Sequence, residues 1–499
     1  MQRAASKQIV IVGGSIAGLS AALLLAEDGH PVTVLEKDAT PLPSSAGEAF
    51  EKWSRRGAPQ VRHSHAFLAP VHNGLRDRAP ELLEKLLAAG AEVFRFEQMA
   101  RAVFPDPVFE PADAEINLLG VRRITFEWVL RRHILDLGRV VFRDGVSVQG
   151  LVAERGDEDG IPHVTGVRVA SPGGAEATLA ADLVVDAAGR RSQLGSWLAA
   201  IGARALREES EPCGIVYSSR FYRLREGVAA PAVDGVTGAD LGYLKCGIFP
   251  ADAGTFSITL AASPDDEAFL CVAHEAGFDA AARAIPLAEP WVDPAHSEPI
   301  SKVHGMGRLM NTRRFFLEDA APPALGIVAV GDALLHQNPL YGRGCTLAWL
   351  HAGLLTEALR QHPSDALALA RGLDAAVVER LVPWFELCRN QDRDAIEAGA
   401  AQRRGEDPLR VQREDGSVDP KAYMRSLVRD GFLPALREDL SVLRAFMRMM
   451  TMLDPPGDLM RDPALFQIVL ASWSRRAERK PVSLGPTRTE MLELLAAAT

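Results

Sequence analysis

The chain has 499 residues, 47% hydrophobic and 24% charged, with 55 Lys and Arg against 65 Asp and Glu for a formal charge of −10. This composition fits two to four globular domains of about 100–200 residues each and excludes a largely disordered, coiled-coil or fibrous chain. The acidic excess argues against a nucleic-acid partner, which needs a basic face for phosphates.

Only eight of the basic residues are Lys and 47 are Arg. The bias reads as genome composition, although Arg grips phosphate and carboxylate bidentately wherever it reaches a site. The five cysteines (Cys213, Cys246, Cys271, Cys345, Cys388) are scattered and form no CxxC pair. Neither a disulfide framework nor a zinc site is indicated, and a reducing, cytoplasmic location is expected. The polar start Met1–Gln8 and the glycines after it do not read as a signal peptide. No run of about 18 apolar residues exists, so no integral membrane segment is expected.

In chain order, Gln8–Val12 (QIVIV) reads as a buried parallel strand. Gly13-Gly14-Ser15-Ile16-Ala17-Gly18 follows at once, Leu19–Ala26 has helical spacing, Gly29 ends that helix, and Pro31–Leu35 is a second strand ending at Glu36. This is the order of a dinucleotide-binding βαβ unit. The glycines permit a tight turn and close approach of a pyrophosphate. The helix N-terminus offers it free N–H groups and the positive end of the dipole. Glu36 stands where a carboxylate accepts the ribose hydroxyls of an adenosine. Ser15 replaces the second Gly of G-x-G-x-x-G, and its small side chain keeps the backbone approach. The unit alone does not choose between NAD(P) and FAD.

His63 and His65 stand at i and i+2, which on a strand would share a face. No further ligands lie at matching spacing, so no metal site is expected. Asp182–Asp186 reads as a strand leading into Ala187-Ala188-Gly189-Arg190-Arg191-Ser192. Gly214–Leu224, Gly242–Phe249 and Gly254–Ala262 read as strands of an antiparallel sheet that backs a substrate pocket. Phe269–Ile285 reads as helix, Pro286–Asp293 as loop, and Ile300–Phe316 as the return.

Gly326–Val330 is another buried-strand run, leading into Gly331-Asp332-Ala333, the loop Asn338-Pro339-Leu340-Tyr341-Gly342-Arg343-Gly344 and a helical run Cys345–Leu359. Such an Asp lies at the sheet's carboxyl edge, where it accepts a cofactor hydroxyl. The Pro–Gly-x-Gly loop brings backbone N–H groups beside a ring or phosphate. The alternative is a plain strand–helix connection with an Asp cap. Cys345 opens the helix, where a thiol pKa can fall, but packing is the expected role. Beyond Gly353 the chain reads as helical, broken by a loop at Arg403–Pro420. Leu433, Leu436, Leu440, Leu443, Met447 and Met450 form one apolar stripe at helical spacing. Six of the eleven Met (424, 447, 449, 450, 452, 460) cluster there. They read as core between helices, with a lipophilic substrate channel as the alternative.

The two Gly-rich motifs and the strand between them resemble the FAD-binding pattern of the group A flavoprotein monooxygenases, the p-hydroxybenzoate hydroxylase superfamily. Arg55-Arg56-Gly57-Ala58-Pro59-Gln60 followed by His63-Ser64-His65-Ala66-Phe67-Leu68 is similar to a segment of the flavin-dependent epoxidases of polyether antibiotic pathways. Pro383-Trp384 and Met452-Leu453-Asp454-Pro455-Pro456 resemble the same branch. Arg122-Arg123-Ile124-Thr125, before a helix Phe126–Leu137, resembles the segment whose Arg supports the cofactor, and Arg123 is taken as that residue. The cofactor contacts implied are Gly13, Gly14, Ser15, Ala17, Gly18, Glu36, Lys37, Arg55, Arg56, Gln60, His63, Arg123, Ala188, Gly189, Asp332, Pro339, Gly342, Gly344 and Cys345. A protonated or hydrogen-bonding imidazole beside the flavin would tune its anionic state. In the family an Asp-Gly-x-x-Ser run serves both FAD and NADPH. Here Ala188-Gly189 replaces Asp-Gly, with Asp186 two residues earlier. Reduction is therefore left open between NAD(P)H acting directly and a separate flavin reductase as partner. Arg190–Arg191 reads as a solvated turn rather than an NADPH-phosphate site.

The resemblance implies an α/β fold: a Rossmann-like FAD-binding domain with an inserted antiparallel β-sheet substrate domain and a C-terminal helical region. The expected divisions are 1–204 (FAD-binding, first part, with a flavin-contact segment 45–122), 205–319 (substrate sheet), 320–365 (FAD-binding, second part) and 366–499 (helical). The activity implied is FAD-dependent monooxygenation, in which reduced flavin and O2 give a C4a-(hydro)peroxide. One oxygen atom then enters a lipophilic or aromatic small molecule, by epoxidation or hydroxylation. No catalytic side chain is assigned. The alternatives are a FAD-dependent dehydrogenase or reductase of an isoprenoid-like substrate, a flavin-dependent halogenase and a non-enzymatic FAD scaffold. A halogenase needs a Trp-x-Trp-x-x-Pro segment, whereas the Trp residues here are isolated.

Overall fold

β-Branched side chains pack well on a pleat covered from both faces, and the first strands are built from them. β1 (Ile9–Val12) is buried at all four positions, α1 covers Ile16–Glu27, and β2 covers Val32–Glu36. The structure, a computed structural model, describes residues 6–156, 160–171, 173–174, 176–231, 237–480 and 483–498. β1 is the middle strand of a five-stranded sheet in the order Ile327–Ala329, Leu183–Asp186, β1, β2, Val140–Asp144. Every pair in it is parallel. One sheet is thus assembled from distant parts of the chain. Parallel pairing brings all five carboxyl ends to one edge, where open α/β sheets bind their ligands. α1 packs along the helix Gly344–Gln361, which covers the same sheet.

The inserted sheet is antiparallel, in the order Gly238–Asp240, Leu244–Pro250, Thr255–Ala262, Val216–Leu224, Ser297–Pro299, with His304–Met306 also paired to Val216–Leu224. It is anchored to the first sheet's helix Arg123–Leu137. Asp252, fully buried between two of its strands, accepts hydrogen bonds from Arg122 N (2.6 Å), Arg122 Nη2 (2.5 Å) and Thr125 Oγ1 (3.0 Å). A smaller sheet of Arg207–Pro212, Met310–Phe315 and Leu335–His336 leads from the inserted sheet back to the parallel one.

Several elements differ from the sequence reading. Phe269–Ile285 is a 3-10 segment Glu267–Ala273 followed by a helix Glu275–Ala284, and the expected loop holds a short helix Glu289–Val292. The apolar stripe from Leu433 to Met450 is two helices, Leu433–Glu438 and Leu440–Met450. Asp439 separates them because its carboxylate accepts from Ser441 N and Val442 N and so starts a new helix. The C-terminal helices also divide their packing. Met447, Leu459 and Val469 bury themselves with Phe96 and Ile116, whereas Met491 and Leu495 of the last helix join the core of the inserted sheet.

Candidate functional site

The turn after β1 is shaped by steric demand. Gly13 has φ +108°, and a Cβ there would lie 2.5 Å from Ala187 O. A Cβ on Gly18 would lie 1.9 Å from Gly13 O, so only glycine lets α1 start this close to the strand end. Ser15 is the N-cap of α1, yet its hydroxyl caps none of the first-turn N–H groups. Those donors stay available for an anion.

The Ser15 hydroxyl instead donates to Glu127 Oε2 at 2.7 Å and accepts from Arg123 Nη2 at 2.8 Å. Glu127 is fully buried on the helix Arg123–Leu137 and faces two guanidinium groups. Arg55 Nε lies 2.6 Å and Arg123 Nη2 3.4 Å from its oxygens. Burial alone would raise the Glu127 pKa, but the charges of Arg55 and Arg123 outweigh it and hold the carboxyl below its ordinary value. Arg55 reaches further, donating to Glu36 Oε2 (3.0 Å), Asp38 Oδ2 (3.1 Å) and Gly14 O (3.1 Å). Sequence reasoning misses Glu127, because the expected helix starts at Phe126 and only the observed start at Arg123 makes Arg123 and Glu127 an i, i+4 pair.

Glu36 closes β2 as expected, but most of its carboxylate is already engaged. Gly14 N and Arg55 Nη2 occupy Oε2, and Asp38 N occupies Oε1. A carboxylate has about four acceptor positions, so one is left for a ligand hydroxyl. Lys37 and Arg56 are exposed and take no part in this network, and Gln60 is half-buried.

The downstream motifs arrive at the same edge. A Cβ on Gly331 would meet Ala17 Cβ at 2.9 Å, and one on Gly342 would meet Ala66 Cβ at 3.2 Å. The turn carrying Asp332 therefore borders the start of α1, and the Pro339–Gly344 loop borders the His63–Ala66 loop. Asp332 keeps 37% of its side chain exposed and lies 3.3 Å from His336 Nδ1. Burial would raise its pKa, but His336, Arg123 and Arg190 together hold it below the ordinary value. Arg190, read as part of a solvated turn, is half-buried and acts on this carboxylate. Ala188 and Gly189 sit beside Gly13, and Asp186 organises them. Its buried carboxylate accepts from Ala188 N at 3.0 Å and from the Ser192 hydroxyl.

The two histidines belong to a loop. They lie on no strand: His65 Nδ1 contacts His63 O at 3.0 Å, and His63 Nδ1 contacts Ser219 Oγ at 3.2 Å. Burial pushes both pKa values down to about 3, which disfavours the protonated imidazole and leaves the hydrogen-bonding one. A ladder of hydroxyls fastens this loop to the inserted sheet. Ser64 Oγ lies 2.7 Å from both Ser257 Oγ and Thr259 Oγ1, and Ser219 Oγ lies 2.8 Å from Thr259 Oγ1. Cys345 is buried, and its thiol is pushed up to about 11 despite the helix start. The methionines do not share a site. Met424 is exposed, Met447 packs with Phe96, and Met452 joins the core of the parallel sheet. Among the described residues no helix is long and apolar enough to cross a membrane, and no group of three His, Cys, Asp or Glu is placed to hold a metal.

These residues fit a dinucleotide cofactor. The turn leaves no room for a Cβ, the helix start is uncapped, and one donor beside it, Arg123 Nη1, is buried without a hydrogen-bond partner among the described residues. A native site rarely strands such a group unless something binds it.

Residues 11–70 match the family described as NAD(P)-binding Rossmann-like domain. Over 404 residues the chain is 31% identical to Protein Rv3254 of Mycobacterium tuberculosis, covering 75% of this chain and 78% of that one. Over 386 residues it is 28% identical to kynurenine 3-monooxygenase of Salinispora arenicola, covering 73% and 75%. The solved structure of the flavin-dependent brominase Bmp2 aligns with a TM-score of 0.56 at 17% identity, over 95% of this chain and 100% of that one. That of p-nitrophenol 4-monooxygenase PnpA from Pseudomonas putida aligns with a TM-score of 0.56 at 18% identity, over 90% and 99%. The fold is the one these flavin-dependent enzymes share.

Proposed function

Because the chain belongs to the family of Protein Rv3254 and gathers Gly13, Arg123 and Asp332 at one sheet edge, we propose that it is a FAD-dependent monooxygenase of lipophilic or aromatic small molecules. The observation that carries this reading is the unpartnered, buried Arg123 Nη1 beside the uncapped start of α1. Bound and reduced, the flavin supplies the activation of O2, from which one oxygen atom passes to the substrate and the other to water. The protein binds, orients and excludes water. The first-turn N–H groups of α1 hold the pyrophosphate. Asp332, its carboxyl held below the ordinary value, would hold a ribitol hydroxyl, and Glu36 would offer its remaining acceptor position to a ribose hydroxyl. Neutral His63 and His65 form a wall that adds no charge, and the sheet face carrying Ser219, Ser257 and Thr259 keeps that wall fixed. Epoxidation is the finer reading, on the likeness of Gly57–Gln60 and His63–His65 to the polyether-type epoxidases, with ring hydroxylation beside it.

Electrons come from a separate flavin reductase if Ala188 has cost the chain its nucleotide contact. One observation favours the second route, direct delivery by NAD(P)H. A cleft of about 380 Å³ runs beside Lys52, Arg56, Arg62 and His304, and no Asp or Glu is among its described lining residues. Such a cleft suits a polyanionic nucleotide.

The test is reconstitution with FAD, followed by chemical reduction and exposure to ¹⁸O2 with alkenes and electron-rich aromatics. One labelled oxygen atom per product is expected. Substrate oxidation without oxygen uptake would make the protein a dehydrogenase, and halide incorporation a halogenase. Rapid mixing with NADPH or NADH then separates the two electron routes.

A further inference from the structure

The helix Val382–Arg403 turns Trp384, Cys388 and Asp392, spaced by four, toward the loop Asn338–Gly344 and Asn311 beside it. Asp392 is 2% exposed. Its Oδ2 accepts from Asn311 Nδ2 at 2.7 Å, and its Oδ1 accepts from Asn338 Nδ2 at 2.8 Å and from the Tyr341 hydroxyl at 2.9 Å.

Neither amide is free to turn round. Asn311 Oδ1 accepts from Asn338 N at 2.8 Å, and Asn338 Oδ1 accepts from Leu340 N at 3.0 Å. Both carbonyl oxygens are thus committed to backbone N–H groups of the loop, so both Nδ2 groups must face position 392. Residue 392 must then present an acceptor on each side, which an ionised carboxylate does and an amide does not. The same loop carries a buried cation. Arg343, 1% exposed, has no hydrogen-bond partner on Nε or Nη1 among the described residues. Its guanidinium lies 5.3 Å from the Tyr341 ring centre and 5.1 Å from that of Trp384. The loop is therefore backed by the Asp392 carboxylate and the Trp384 ring.

We propose that Asp392 is the positioning residue of the Asn338–Gly344 loop: through Asn311, Asn338 and Tyr341 it fixes the backbone that meets the flavin. The assignment rests on the flavin reading above. It gives a residue of the C-terminal helices a role in a site otherwise built from the two Gly-rich turns.

The experiment titrates flavin-free protein with FAD, following the visible absorption and fluorescence of the bound flavin, with thermal melting of the flavin-free protein in parallel. Asp392→Asn sets an amide donor against another donor and is expected to weaken FAD binding about tenfold and to shift the bound spectrum. Tyr341→Phe removes one donor and is expected to act in the same direction by less. The exchange Asn338→Asp with Asp392→Asn restores complementarity toward Asn311 and residue 338 but takes the acceptor from the Tyr341 hydroxyl, so recovery is expected to the level of Tyr341→Phe. The amide at 392 then donates to the carboxylate at 338, whose other oxygen still accepts from Leu340 N. Recovery of both affinity and spectrum to that level in the exchange supports the proposal. Recovery of the melting temperature alone, without affinity and spectrum, overturns it. Should Asp392→Asn not fold, Tyr341→Phe and the exchange decide. Wild-type protein that binds FAD while its variants bind identically overturns this assignment alone. Wild-type protein that takes up no FAD overturns the flavin reading, and this assignment with it.

Discussion

Glu127 is the residue on which the candidate site balances. It is a fully buried carboxylate held between Arg55 and Arg123, whose side chains are 1% and 5% exposed. Burying one charge is costly; burying it with two partners and a hydroxyl donor satisfies it, and removing it leaves cations facing each other. Glu127→Gln is expected to destabilise the fold by about 3 kcal/mol and to weaken FAD binding, read by denaturant unfolding and by titration. The pH dependence carries the same signature. The folded pKa of Glu127 lies below its ordinary value of 4.5, so its contribution is present above that pH and is lost as acidification passes through the lower folded value. The acid limb of the stability curve of wild type should therefore flatten in Glu127→Gln. The sequence marked Arg55 and Arg123 but not the acid between them. Its spacing to Arg123 is local, whereas its contact with Arg55 spans 72 residues and exists only once the helix is docked.

At the scale of elements, the glycine turn and α1 are the part most fully legible beforehand. β1 and β2 fall within one residue of the expected bounds and α1 starts three residues early, at Ile16, because a strand, a turn without Cβ atoms and a helix are all local consequences of residue type. Gly18→Ala tests the reason. With 1.9 Å between the new Cβ and Gly13 O, α1 must move off the strand. A loss of about 2 kcal/mol in stability and of FAD binding is expected in unfolding and titration measurements. The apolar stripe of 433–450 shows the opposite case. Hydrophobic periodicity alone runs straight through Asp439, because periodicity records which face is apolar and not whether the backbone is continuous. The Asp439 cap divides it. The missing family Asp is likewise answered by a neighbouring element: Asp186, at the end of the strand, ties down the Ala188–Ser192 turn by itself.

At the scale of the whole molecule, the inserted sheet must hold a fixed attitude to the parallel sheet if a substrate pocket between them is to exist. Asp252 is the principal buried charge across that junction. Three groups of the Arg122–Thr125 turn donate to it, and the adjoining helix carries Arg123 and Glu127. Asp252→Ala would leave Arg122, 5% exposed, without its acid, and a loss of about 3 kcal/mol is expected, measured as a lower melting temperature with both sheets still giving their circular dichroism. The sequence by itself determined the βαβ start, the Gly-Asp and Gly-x-Gly turns and the alternating strands of the insert, since each is written in the size and polarity of neighbouring residues. Only the tertiary structure decided that burial lowers the pKa of His63 and His65, that Glu127 joins two arginines and that Asp392 of a C-terminal helix meets the loop after Asn338. Protonation states and buried ion pairs depend on what surrounds a group in space, and the chain supplies those surroundings from segments that its linear order keeps far apart.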